Sequence, residues 1–170
     1  MAQIVEGVFD GRGLQIGIVV SRFNEFITKL LLEGTLNELR RSGVSESAIT
    51  VVWVPGAYEI PLVASELSES GKLNGLIVLG CIVRGETSHY EHMTQSVSDE
   101  IQKVSIHHKI PVGFGILTVE NMEQAMSRAG GKMGNRGRDA ARTTLEMVHV
   151  LEGVRELGRK EQLIRDSFSF

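Results

Sequence analysis

Residues 80–91, Gly-Cys-Ile-Val-Arg-Gly-Glu-Thr-Ser-His-Tyr-Glu, set an imidazole beside what reads as a helix start. Ser88 and Glu91 have the S-x-x-E spacing of a capping box, which predicts Ser88 as N-cap and His89 as the first helical residue. Backbone N–H groups at a helix N-terminus lack intrahelical partners and suit an anion such as a phosphate. An imidazole fixed there can take up and return protons. An anion seat beside a proton-transfer group is a candidate active site. A first-turn histidine can equally be structural; Gly85, Thr87 and the cap spacing favour function. A metal is not expected, because His89 and His92 lack the i, i+4 spacing of the zinc-helix motif and have no evident third ligand.

A second cluster gathers Arg128, Lys132, Arg136, Arg138 and Arg142 around the glycine-rich break Gly130–Gly137. Such a run is often a solvated face. Here Arg128 projects from a helix end beside flexible backbone, where a bidentate phosphate contact is open to it. The run is not a Walker A loop, since Met133 follows Lys132 and Met126 stands at the first glycine position.

The elements that must position these groups alternate along the chain. Short apolar strands are predicted at 14–20, 49–54, 75–83 and 111–117, with a further isolated strand at 3–9. Helices are predicted from an Asn24 cap to Arg41, from Pro61 to Ser70, from His89 to His108, from Asn121 to Ala129 and from Arg138 to Leu157. Near-continuous apolar strands separated by helices indicate a parallel sheet covered on both faces, hence one three-layer α/β domain over 1–157 with a polar tail at 158–170. Ligands of such sheets bind beyond the carboxyl ends of the strands. Three loops with unusual residues fall there: 21–24, 55–59 and 84–89. Phe23 could stack on a planar ring or act as a hydrophobic staple for the next helix. Gly56 and Ala57 either admit a ligand to the backbone or simply make a turn. Glu59 is either a solvated helix-start carboxylate or an acceptor for polyol hydroxyls.

The 170 residues carry a net charge of −3, which gives no global attraction to nucleic acid or to an anionic membrane. Cys81 is the single cysteine, so an internal disulfide is excluded. Residues 1–7 lack the basic-then-apolar order of a secretory signal, and no apolar run approaches bilayer length; the cytoplasm is the expected compartment.

Three runs together resemble the 6,7-dimethyl-8-ribityllumazine synthase family: Val54–Glu59 (VPGAYE), Gly80–His89 (GCIVRGETSH) and Arg128–Asn135 (RAGGKMGN), with Arg22-Phe23-Asn24 in its place before them. The resemblance spans about Ile4 to Leu151. It implies a flavodoxin-like four-stranded parallel sheet, pentamers with sites between subunits, and an N-terminal strand added to a neighbour's sheet. The glycine-rich break resembles that of members forming sixty-subunit shells. The implied reaction condenses 5-amino-6-(D-ribitylamino)uracil with 3,4-dihydroxy-2-butanone 4-phosphate, without metal or organic cofactor, to give the lumazine, phosphate and water. It is the step before riboflavin synthase, an implied partner. By motif position, Phe23 stacks on the pyrimidine; Ala57, Tyr58 and Glu59 hold its ring and ribityl chain; Cys81, Ile82 and Val83 offer backbone contacts. Glu86 and Thr87 hold the ketone phosphate, and His89 transfers protons. Phe114, Arg128 and Arg136 complete the substrate site, Phe114 and Arg128 from the adjacent subunit. Two features depart from the family pattern: Arg136 stands where many members have lysine, and the tail beyond Leu157 is longer. A non-catalytic flavin- or lumazine-binding shell protein is the alternative of a different class. A flavodoxin-type electron carrier is a third reading.

Overall fold

A computed structural model describes residues 1–167. Its centre is a four-stranded parallel sheet in the order β2-β1-β3-β4, with β1 at Ile16–Ser21, β2 at Ile49–Val54, β3 at Gly75–Val83 and β4 at Val112–Val119. Each crossover carries a helix: α1 (Glu25–Arg41), α2 (Ile60–Glu69) and α3 (His89–His108). Beyond β4 come α4 (Met122–Arg128), a two-strand hairpin of β5 (Ala129–Gly131) and β6 (Gly134–Asn135), and α5 (Arg136–Ser167). The three layers are those expected from the strand and helix pattern, and the strand order is that of the flavodoxin-like class the family resemblance implies.

Period-2 alternation splits the core between the two faces of the sheet. Ile16, Ile18, Val20, Ile77 and Leu79 pack with α1 and α5 residues such as Ile27, Leu31, Ala141 and Leu145. Val19, Leu76 and Val78 pack with Ile60 and Ala64 of α2 and with Val97 and Ile101 of α3. Each fully buried aliphatic side chain contributes about 1.5–3 kcal/mol.

Helix ends follow local rules where those rules were legible. Gly43, at φ 91°, closes α1. Its N–H donates to the Arg40 carbonyl and the Val44 N–H to the Leu39 carbonyl, both at 3.0 Å, while Val44 and Leu39 are buried. This is a Schellman arrangement.

Four sequence expectations change. Asn24 adopts the left-handed conformation (φ 59°, ψ 44°) and makes no side-chain cap; its Nδ2 donates to the Cys81 carbonyl at 2.9 Å. The Ser88 side chain likewise caps nothing, and Glu91 turns away to Arg84 at 2.6 Å. Residues 3–9 form no strand, because no strand edge lies beside them among the described residues. They run along α5: Val5 lies against Gly153, the Phe9 ring 4.6 Å beneath the Arg142 guanidinium, and the His149 Nε2 donates to the Asp10 carbonyl at 2.7 Å. The last helix does not stop at Leu157 but continues to Ser167. Residues 155–166 are mostly Glu, Arg, Lys, Gln and Leu, with Gly158 the poorest helix former among them. Phe168–Phe170 lie outside the described residues.

Gly137, in the first turn of α5, sits against the Leu31 carbonyl of α1, and a Cβ there would also lie 2.6 Å from the Thr35 Oγ1. Both obstructing atoms belong to a packed helix, so Gly137→Ala should lower stability by about 1–3 kcal/mol. Denaturant midpoints at one fixed protein concentration would reveal it; an unchanged midpoint would contradict this close approach.

Candidate active site

The parallel pairing leaves part of β3 open. Its ladder with β1 ends at Val20 and Leu79, while its ladder with β4 continues to Val83 and Val119. From Gly80 onward the β1-facing edge of β3 is therefore free to face a ligand. On that edge the Cys81 carbonyl accepts from Asn24 Nδ2. Two residues further, Val83 presents its own N–H and C=O in the same direction. The loops after β1 and β2 are tied together: Arg22 N–H donates to the Val54 carbonyl at 2.8 Å and Phe23 N–H to the Pro55 carbonyl at 3.0 Å.

These ends enclose a cleft of about 560 Å³ lined by Phe23, residues 55–59, Cys81, Ile82, Val83, Gly85, Thr87, His89, Tyr90 and Met93. Phe23 is 70% exposed on its rim, so the ring is available to a planar partner and is not a buried staple. Tyr58 is 65% exposed. The Glu59 carboxylate folds back so that a Cβ on Gly56 would lie 3.1 Å from its Oε2, and Gly56 thus makes room for it. The Cys81 side chain is in the apolar core, where burial pushes its thiol up to about 11. It stays protonated near neutrality, which leaves its backbone as the part that faces the cleft. The Thr87 Oγ1 accepts from the His89 N–H at 3.4 Å, and His89 opens α3 over the cleft.

Nine of the residues singled out in the sequence thus line one cavity: Phe23, Ala57, Tyr58, Glu59, Cys81, Ile82, Val83, Thr87 and His89. Four do not. Glu86 is exposed on the loop above it. Phe114, on edge strand β4, is 38% exposed and lines a separate groove with Ser98, Ile101 and Gln102. Arg128 ends α4, half-buried, with Nη1 donating to the Gln124 carbonyl at 3.4 Å. Arg136 opens α5 and is exposed. Among the described residues, the cleft lining consequently contains no lysine or arginine. Tyr90 and Met93 also line the cleft without carrying a motif; Met93 lies four residues beyond His89, hence on the same helix face, and that spacing is the signal the sequence offers for it.

A sequence model of the family described as 6,7-dimethyl-8-ribityllumazine synthase matches residues 13–152. The curated 6,7-dimethyl-8-ribityllumazine synthase of Pediococcus pentosaceus is 49% identical over 144 residues, which cover 85% of this chain and 92% of that protein. The matched span takes in every cleft-lining residue and the whole arginine cluster, from Arg128 to Arg142. The chain belongs to the 6,7-dimethyl-8-ribityllumazine synthase family.

Proposed function

We propose that this chain is a 6,7-dimethyl-8-ribityllumazine synthase that joins 5-amino-6-(D-ribitylamino)uracil to 3,4-dihydroxy-2-butanone 4-phosphate. The observation that carries this reading is the cleft itself. It offers an exposed aromatic ring, free strand backbone, a carboxylate and an imidazole, yet no cation. The first three suit a pyrimidine with a polyol chain. Phe23 stacks on the ring, Val83 reads its polar edge, and Glu59 accepts hydrogen bonds from ribityl hydroxyls. The ketone phosphate lies towards Glu86, Thr87 and the start of α3, whose free N–H groups favour an anion.

The pyrimidine's 5-amine attacks the ketone, and loss of water gives an imine. Phosphate leaves by elimination, and the ribitylamine nitrogen closes the second ring with loss of water. Each stage moves protons, and His89 is the side chain in the cleft suited to carry them. Holding the two substrates together supplies a large part of the acceleration.

The missing cation comes from an adjacent subunit. Arg128 grips the phosphate from a neighbour, aided by Arg136, and Phe114 of that neighbour closes the aromatic side. The extended segment 3–9 supports such an assembly: Ile4 and Val8 stay exposed and its backbone pairs with no strand among the described residues, as expected of a strand completed by another chain. The assembly is built of pentamers joined into a sixty-subunit shell. The chain works in the cytoplasm and hands its product to riboflavin synthase. No described helix is long and apolar enough to cross a membrane.

Incubating the pure protein with both substrates tests the activity: the lumazine absorbance should appear, and its absence at saturating substrate would leave only a binding role. Arg128→Ala should raise the KM for the phosphorylated ketone by roughly ten- to a thousandfold, the loss of a desolvated bidentate contact. An unchanged KM would remove that contact. His89→Ala should lower kcat by about ten- to a thousandfold and alter the pH–rate profile; a profile identical to that of the parent would take the proton-transfer role from His89.

A further inference from the structure

The loop that carries the proposed catalytic histidine has little holding it. Residues 85–88 are exposed, a Cβ on Gly85 would meet nothing within 4 Å, and the Ser88 side chain makes no cap. Among the described residues, 85–88 make no hydrogen bond outside the loop and the helix it opens. An untethered loop would let His89 wander over distances that matter to proton transfer.

Arg84 stands at the foot of this loop and, among the described residues, is the one side chain that spans it. Its Nη1 donates to Glu91 Oε1 at 2.6 Å, and its Nε forms an ion pair with Glu120 Oε2 at 2.8 Å. Its Cζ lies 4.8 Å from the centroid of the Tyr90 ring, and its backbone N–H donates to the Val119 carbonyl at 2.9 Å. One guanidinium therefore holds the first turn of α3 from two sides, through Glu91 and through Tyr90, and fastens it to the end of β4. The far anchor is firm: the Glu120 N–H donates to Gln124 Oε1 at 2.9 Å, and Gln124 N–H donates to the Asn121 cap at the same distance. Tyr90 and His89 both line the cleft, whereas Arg84 does not. Its charge is directed to two carboxylates, so it is not free to grip a substrate phosphate.

We infer that Arg84 is a positioning residue of the active site, a clamp that joins the strand β4 end to the start of α3 and thereby fixes His89 and Tyr90 against the substrates. The inference rests on the proposed role of His89. Exposed ion pairs taken singly do little for stability, but a fork shared by two carboxylates and stacked on a ring fixes geometry. A misplacement of about 1 Å at a reacting group can cost on the order of a hundredfold in rate.

Steady-state kinetics on the assembled enzyme test this with Arg84→Met, Arg84→Lys, Glu120→Gln and His89→Ala. Arg84→Met, which keeps an unbranched apolar stem, should lower kcat by roughly tenfold or more with the KM for the pyrimidine little changed. Lysine, a point charge without the fork, should restore kcat only in part. Glu120→Gln should fall in the same direction, and Arg84→Met/Glu120→Gln no further than Arg84→Met alone. Adding Arg84→Met to His89→Ala should cost less than it does in the parent, since both act through one group. A parental kcat in Arg84→Met, or independent losses in the double variant with His89→Ala, would overturn the clamp. A parental kcat in His89→Ala would instead sink the catalytic assignment on which the clamp depends.

Discussion

A phosphate ester does not settle in a half-apolar cleft without a cation to compensate it, and among the described residues the cleft at the carboxyl ends of β1, β2 and β3 holds none. That constraint shapes the rest of the account. The α3 N-terminus supplies partial positive charge and open N–H groups, but a doubly charged ester calls for a full charge as well. The chain does carry that charge, on the arginines of α4 and α5, away from its own cleft. In the proposed assembly a second copy supplies it, as a closed ring of identical subunits would do for every site.

The sheet makes such a site possible through an inequality of strand lengths. β3 has nine residues and β1 has six, so β3 outruns its neighbour and residues 80–83 have no β1 partner on that edge. Asn24, strained into the left-handed region, bonds to Cys81 and fixes the distance between the two strand ends. Non-glycine residues take that conformation at a cost of about 1–2 kcal/mol, and asparagine most readily after glycine. The strain is offset by a hydrogen bond that also orients the loop bearing Phe23.

Much of the fold was legible because its strands are buried on both faces and read as continuous apolar runs. Ile16–Val20 and Leu76–Leu79 need no tertiary information to be recognised. The cleft was legible for the same reason, since the rule about strand ends assigns 21–24, 55–59 and 84–89 to one place. What escaped depends on long-range partners. The Asn24 amide and the Glu91 carboxylate each match a local capping pattern, yet each finds a stronger partner some distance along the chain, Cys81 in one case and Arg84 in the other. Residues 3–9 carry the apolar content of a short strand, but among the described residues no sheet edge receives them. The polar stretch beyond Leu157 looks like a tail, yet Glu, Lys, Arg and Gln favour a helix whether or not one face is buried. Tyr90 and Met93 were hidden in plain helical periodicity beside the more conspicuous His89.

Hybrid assemblies give the most direct test of a cleft shared across a subunit boundary. At low ketone phosphate, His89→Ala and Arg128→Ala should each lose about tenfold or more of the parental activity. Mixed in equal parts before assembly, they should regain about one quarter of the parental activity, because random neighbours place an intact His89 beside an intact Arg128 at that frequency. Activity no greater than the average of the two separate variants would show that a single chain supplies both groups, and would contradict the account.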